Sequence, residues 1–111
     1  MELSDVQFKE RVYDYDAGEI RASRPAVIDF VAEWCGSCKG FTPILERAAQ
    51  KYGGIDFIKV DITKADKLVE ALGIQSVPTL MFYKPGIPSP IKTHVGLMNA
   101  EQLDAVVLAL L

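Results

Sequence analysis

The sequence predicts an α/β protein in which helices pack on both faces of a central mixed sheet, a three-layer α/β/α sandwich. Two short apolar runs with β-branched residues, 26–32 and 55–61, are typical of strands. A helical pattern follows each run, so these two strands are expected to pair in parallel. A turn-rich segment then joins two further strands, 79–84 and 91–95, as an antiparallel hairpin.

The N-terminal pattern predicts a short helix over residues 5–13. Ser4 and Gln7 form a capping box, and Leu3 and Phe8 occupy the two positions of a hydrophobic staple. Residues 14–24 are polar, contain a glycine and show no sustained period. We therefore expect a surface connection there, with no function that the residues indicate.

The 26–32 run is apolar throughout except for Asp29, which predicts a strand buried on both faces. The cysteine turn that follows opens an amphipathic helix, which ends before the glycine pair 53–54. Pro43 lies inside this helix and is expected to kink it. The apolar stripe of the helix consists of Phe41, Ile44, Leu45, Ala48 and Tyr52.

Two more helices complete the predicted fold. One spans about 64–72 and ends at Gly73, and the other is capped by Asn99 with Gln102 three residues later. The last helix has an apolar side that is expected to cover a sheet face, and its end could also mediate weak dimerisation. That side is formed by Leu103, Val106, Val107 and Leu110.

Length and charge exclude several classes of protein. A chain of 111 residues can bury a core without disulfide support, so we expect one domain over 1–111. The net charge of -3 lacks the basic excess of nucleic-acid-binding proteins, and no apolar stretch reaches membrane-spanning length. The N-terminus carries no signal-peptide pattern, which predicts a cytoplasmic protein, or a periplasmic one if a signal had been trimmed.

Cys35 and Cys38 are the only cysteines, two residues apart. Such a pair is a redox couple, half of a metal site or an inert small loop. A structural metal site needs four ligands, and His94 is the only histidine and lies far away in the chain. A disulfide across so short a loop restricts the unfolded chain little. We therefore expect redox chemistry, with no metal and no cofactor.

The position of the cysteines favours that chemistry. Cys35 lies at the start of a helix, where unpaired N–H groups and the helix dipole stabilise a thiolate. Cys38 lies three residues on, inside the first turn, close to Cys35 and more shielded. The expected pairing of the strands also places Cys35 at the carboxyl end of a parallel strand, where open α/β sheets carry their sites.

Several motifs in order resemble the thioredoxin family. They are Val-Ile-Asp-Phe-x-Ala-Glu-Trp-Cys-Gly-x-Cys-Lys, Pro43, Lys59-Val-Asp61, Val77-Pro78-Thr79 and Val95-Gly96. The resemblance runs from about residue 25 to the C-terminus and implies the thioredoxin fold, whereas residues 1–24 form a divergent segment.

The resemblance implies five catalytic residues, which are Cys35, Cys38, Asp29, Lys59 and Pro78. Cys35 attacks a substrate disulfide, and Cys38 resolves the resulting mixed disulfide. Asp29 is the buried carboxyl beneath the turn and takes a proton from Cys38, while Lys59 on the neighbouring strand is its partner. Alternatively, Asp29 is a satisfied core carboxylate with no catalytic role.

The same resemblance implies a substrate-binding surface. Pro78 follows a cis peptide bond beside the cysteines, and the backbone of Val77 pairs with an extended substrate segment. Trp34, Val95 and Gly96 line the same shallow apolar groove. The alternative for Trp34 is core packing.

Gly36 and Ser37 form the turn between the cysteines, and Ser37 stands where the family usually has proline. Val31 is a second departure from the family pattern, because the family often has tryptophan at this position. Serine leaves the turn less rigid than proline would and adds a hydroxyl near a sulfur. We therefore expect the cysteine pair to be less reducing than in a proline-bearing relative.

The resemblance thus implies a protein disulfide reductase whose partners are protein disulfides and thioredoxin reductase, and we expect it to be a monomer. Two alternatives remain: a more oxidising or periplasmic oxidoreductase, and a redox-inactive binding subunit with the same fold.

Overall fold

The computed structural model describes residues 1–111, which form four helices, a four-stranded sheet and a small two-stranded hairpin. No helix has the length and apolar character needed to cross a membrane. In chain order the elements are α1 Asp5–Arg11, β1 Tyr13–Asp14, β2 Glu19–Ile20, β3 Ala26–Val31, α2 Gly36–Lys51, β4 Asp56–Asp61, a 3₁₀ turn Ile62–Lys64, α3 Asp66–Leu72, β5 Thr79–Tyr83, β6 Lys92–Val95 and α4 Ala100–Leu110.

The central sheet has the strand order β4-β3-β5-β6. β3 pairs with β4 in parallel and with β5 antiparallel, and β5 and β6 form the predicted hairpin. The mixed sheet and the layers of helices confirm the predicted fold class. All six residues of β3 are buried, as expected of a central strand covered on both faces.

Successive side chains of each strand point to opposite faces of the sheet, so the core consists of two layers. Ile28 and Phe30 point to the face covered by α1 and α3, where Phe8 and Leu68 pack against them. The opposite face is covered by α2 and α4, which contribute Phe41 and further apolar side chains. Asp29 lies between Ile28 and Phe30 in β3, so its carboxyl points to the α2 face.

Both predicted capping boxes are present. The Ser4 side chain accepts the Gln7 backbone N–H, while the Gln7 side chain accepts the Ser4 N–H, and Asn99 and Gln102 exchange the same pair of bonds. α1 ends at Arg11, two residues earlier than predicted, because Tyr13 enters a strand.

The predicted surface connection over 14–24 contains a short hairpin. Tyr13 pairs with Ile20 in a two-stranded hairpin. The Asp14 carboxylate accepts the backbone N–H groups of Asp16 and Ala17, and Gly18 adopts a positive φ of 68°. The strands are only two residues long, too short for sequence periodicity to reveal.

α2 is continuous through Pro43. Proline lacks the N–H that would bond the carbonyl of Lys39 four residues earlier, and Lys39 is exposed, so water can satisfy that carbonyl. After β4, the predicted helix over 64–72 is shorter at its start, because residues 62–64 form a separate 3₁₀ turn.

The first residues of the chain extend the sheet. The Lys59 N–H donates to the Met1 carbonyl at 2.8 Å, and the Leu3 N–H donates to the Lys59 carbonyl at 2.9 Å. A parallel bridge thus forms between Glu2 and Lys59. This contact covers the outer edge of β4, which would otherwise be open to pairing with another chain.

Candidate active site

The cysteine pair lies at the start of α2, directly after the carboxyl end of β3. Cys35 is the N-cap residue, and its sulfur accepts the backbone N–H of Cys38 at 3.2 Å. The two cysteines are joined by a disulfide, with their Cα atoms 5.4 Å apart. The helix N-terminus therefore directs an N–H group at the Cys35 sulfur, an arrangement that favours a thiolate in the reduced protein.

Both cysteines are buried in the disulfide state, with 5% of Cys35 and 3% of Cys38 exposed. They cluster with Val31 and Ala32, and the partly buried Val77 packs against that cluster. The burial of the two residues differs too little to distinguish an attacking from a resolving sulfur. Their positions in the helix, at the N-cap and inside the first turn, do distinguish them.

The two residues between the cysteines are exposed. The Ser37 hydroxyl lies 3.4 Å from the Cys35 sulfur, so the expected contact between this hydroxyl and a sulfur is present. Gly36 has no heavy atom within 4 Å of the place where a Cβ would stand. A side chain at position 36 would therefore meet no neighbour.

Asp29 is the one buried charged residue of the chain, with 0% of it exposed. Neither carboxyl oxygen has a hydrogen-bond partner. Burial raises the pKa of Asp29 to about 7, and the Lys59 ammonium opposes this rise in part. A carboxyl with this pKa can accept a proton and release it again near neutral pH. The alternative of a satisfied core carboxylate does not fit, since the carboxyl has no bonding partner.

Lys59 is the register partner of Asp29 across the parallel β3 and β4 strands. The two residues therefore lie on the same face of the sheet, towards α2, although their charged groups form no ion pair within 4.0 Å. A cavity of about 200 Å³ beside Lys59 is also lined by Cys38 and Val31, among others. Cys38 and Lys59 therefore border the same cavity.

The second half of the site is the segment before β5. The Val77–Pro78 peptide bond is cis, as the resemblance implies. The Gly96 N–H donates to the Pro78 carbonyl at 2.8 Å, and Val95 pairs with Thr79. Gly96 has a positive φ of 98°, a conformation that favours glycine. The structure therefore brings together Val77, Pro78, Val95 and Gly96, which are distant in sequence.

Trp34 is 73% exposed, so core packing is not its role. Val95 is 64% exposed and the neighbouring Leu97 is 52% exposed. These apolar side chains lie at the surface of the segments that surround the cysteines. An exposed tryptophan next to a reactive group is typical of a binding surface.

Histidine and acidic residues do not assemble around the cysteines. No group of three or more histidine, cysteine, aspartate or glutamate side chains is arranged to hold a metal ion. His94 has its Nε2 atom 3.0 Å from the Leu97 carbonyl oxygen, which gives the ring a local structural contact.

Known proteins resemble the chain along nearly all of its length. The thioredoxin family model matches residues 1–109. A thioredoxin of Borreliella burgdorferi is 37% identical over 109 residues, which cover 95% of this chain and 92% of the relative. A thioredoxin of Alicyclobacillus acidocaldarius is 31% identical over 95% of this chain and 91% of the relative. A thioredoxin of Chlamydia muridarum is 38% identical over 74% of this chain and 78% of the relative.

A Cys-x-x-Cys disulfide at a helix N-terminus, above a mixed sheet and beside a cis proline, defines a protein disulfide oxidoreductase of the thioredoxin type. The chain belongs to the thioredoxin family. The family exchanges its own dithiol with disulfides in other proteins, so the redox-active group is the Cys35–Cys38 pair itself.

Proposed function

We propose that this member of the thioredoxin family works in the reducing direction and transfers electrons from thioredoxin reductase to disulfides in other proteins. The observation that carries the proposal is the unpartnered, buried Asp29 carboxyl beside a cysteine pair at a helix N-terminus. Such a pair needs a proton acceptor to turn Cys38 into a nucleophile, and a carboxyl with a pKa of about 7 suits that task.

The reaction has two steps. The Cys35 thiolate attacks one sulfur of the substrate disulfide, and the other substrate sulfur leaves as a thiolate. The Cys38 thiol then loses its proton to Asp29 and displaces the remaining substrate sulfur from Cys35. The protein ends with the Cys35–Cys38 disulfide, the substrate holds two thiols, and thioredoxin reductase restores the dithiol.

The surface around the cysteines suits a polypeptide substrate. Trp34 and Val95 are exposed, and Val77 packs against the cysteine cluster with its backbone next to Pro78. We propose that an extended substrate segment pairs with the Val77 backbone while Trp34 and Gly96 bound the groove. Lys59 would adjust the pKa of Asp29 through its charge, since the ammonium favours the ionised carboxylate.

A cytoplasmic location and a monomeric state complete the proposal. Reduction of disulfides by a reductase-coupled dithiol requires a compartment that keeps thiols reduced. α4 packs Val107 and Leu110 into the core, so the apolar end of the chain contributes to the fold of one molecule.

The proposal is tested by the reduction of insulin in the presence of NADPH and thioredoxin reductase. We expect NADPH oxidation that depends on this protein and is abolished in Cys35→Ser. Turnover of insulin by a chemical dithiol but not by the reductase would favour the more oxidising alternative. No turnover with either reductant would favour the redox-inactive alternative.

A further inference from the structure

A large cavity lies outside the cysteine site. It measures about 470 Å³ and is named here the β5–β6 cleft. Its floor includes Thr79 and Met81 of β5 and Thr93 of β6. Met81 also belongs to the core layer under α1 and α3. The cleft thus lies on the face that these two helices cover, where they leave the edge of the sheet open.

The walls of the cleft come from separate parts of the chain. Tyr13 and Tyr15 of the N-terminal hairpin line the cleft, and so do residues of the β5–β6 connection, such as Pro88. The Tyr13 ring stacks on Tyr83, with centroids 6.0 Å apart. The Tyr15 hydroxyl donates to the Asp5 carboxylate at 2.6 Å. These contacts fix the aromatic wall before any ligand arrives.

All 16 residues that line the cleft are uncharged, although 24% of the chain is charged. The lining contains hydroxyl and amide groups together with tyrosine rings, prolines and aliphatic side chains. Such a lining can hydrogen-bond a neutral polypeptide and contact its apolar side chains. It offers no opposite charge to a charged side chain, which would be costly to desolvate. The volume lies within the roughly 300–1,000 Å³ of typical binding sites.

The cleft is continuous with the proposed substrate surface. Ser76 and Thr79, which directly flank the Val77–Pro78 pair, both line it. Val95, opposite Thr79 in the sheet, belongs to both surfaces. A polypeptide whose disulfide lies at Cys35 and whose backbone lies along Val77 therefore reaches the cleft within a few residues.

We propose that the β5–β6 cleft binds the uncharged stretch of polypeptide that flanks the disulfide of a protein substrate. The cleft would thereby select substrates whose flanking residues are neutral, and Gln75 and Thr93 would be specificity-determining positions. This inference rests on the proposed function, because it assumes that protein disulfides are reduced at Cys35.

The test uses three short peptides, each with one central cysteine and each supplied as its disulfide-linked homodimer. The flanking positions carry serine, proline and tyrosine in the neutral peptide, glutamates in the acidic peptide and lysines in the basic peptide. Each homodimer is mixed with excess reduced protein, and the second-order rate of peptide thiol formation is measured. In each turnover the Cys35–Cys38 dithiol is oxidised to a disulfide, and one peptide disulfide is reduced to two thiols.

We expect the neutral peptide to react about tenfold faster than either charged peptide. Gln75 is exposed at the cleft, so Gln75→Glu should raise the rate of the basic peptide relative to the neutral one severalfold. Gln75→Lys should do the same for the acidic peptide. Gln50 is exposed on α2, and the matched variants Gln50→Glu and Gln50→Lys should leave these ratios unchanged.

Equal rates for the three peptides, with insulin still reduced, would overturn the cleft proposal and leave the proposed function intact. The cleft proposal would also be overturned if the Gln50 variants moved the ratios as much as the Gln75 variants, since net charge alone would then explain them. A protein that reduces neither the peptides nor insulin would overturn both proposals.

Discussion

At the scale of single residues, the proposed mechanism depends on Asp29. We predict that Asp29→Asn slows resolution of the mixed disulfide by Cys38 on the order of a hundredfold, the usual range for loss of a general base. The first attack by Cys35 should change much less, because its sulfur is stabilised by the helix N-terminus. Stopped-flow measurements of the two steps provide the test.

The matched control for this variant is Asp66→Asn, which makes the same substitution at an exposed position in α3. It should leave both steps unchanged. A uniform slowing of attack and resolution in Asp29→Asn would reject the role of Asp29 as the proton acceptor of Cys38.

The same carboxyl predicts a pH dependence of folding. Its pKa is raised to about 7 in the folded protein, whereas an unfolded aspartate has a pKa of about 3.9. As pH rises from about 4 to about 7, Asp29 loses its proton in the unfolded chain before it does so in the folded protein. The free energy of unfolding should therefore fall from about pH 4 to above pH 7, on the order of 4 kcal/mol in all.

Asp29→Asn cannot ionise, so its stability should lack this component and exceed that of the natural protein above about pH 7. Denaturant unfolding of the oxidised forms across this pH range measures the difference. If the two stability profiles run parallel, the buried carboxyl does not carry the predicted pKa.

The family motifs in the sequence predicted which side chains meet at the site. They did not indicate whether the Asp29 carboxyl is paired. A charged residue in an apolar run can be paired or unpaired, and only the packing around it decides. The structure shows both carboxyl oxygens without partners and no ion pair with Lys59. Trp34 is exposed, so it does not pack in the core, although its size would allow that role.

At the scale of elements, we propose that the turn that opens α2 determines the reduction potential of the cysteine pair. Ser37 is exposed and its backbone is not restricted as proline would be, so the turn should favour the open dithiol over the closed disulfide. We predict that Ser37→Pro makes the reduction potential more negative by about 30 mV, equivalent to about tenfold in the equilibrium constant. Equilibration with a glutathione buffer measures it.

Ser37→Ala distinguishes the backbone from the hydroxyl, which lies 3.4 Å from the Cys35 sulfur. Alanine should leave the potential near that of the natural protein if backbone freedom is the cause. An unchanged or less negative potential in Ser37→Pro would show that the turn is not the determinant.

Elements with strong local signals could be predicted from the sequence. The capping boxes at Ser4 and Asn99 and the long apolar stripe of α2 depend on neighbouring residues, which the sequence displays directly. The hairpin β1–β2 could not be predicted, because its two-residue strands depend on Tyr13 stacking against Tyr83, 70 positions later in the chain. The pairing of Met1 and Leu3 with β4 is likewise a long-range contact with no local pattern.

At the scale of the whole molecule, the sheet brings two surfaces together along one edge. The cysteine turn follows β3, and Val77–Pro78 precedes the neighbouring strand β5, so antiparallel pairing places both at the same end of the sheet. The β5–β6 cleft begins at that end and continues along the adjacent face. The fold thus allows one extended substrate to contact the sulfur, the cis-proline segment and the cleft.

The direction of electron flow is the central claim, and the reduction potential of the Cys35–Cys38 pair tests it most directly. Equilibration of the natural protein with a dithiothreitol or glutathione buffer gives this value. We predict a potential more negative than about −180 mV, the value of a disulfide isomerase, so that the dithiol reduces protein disulfides. A potential at or above about −180 mV would contradict the account, because the pair would then act as an oxidant.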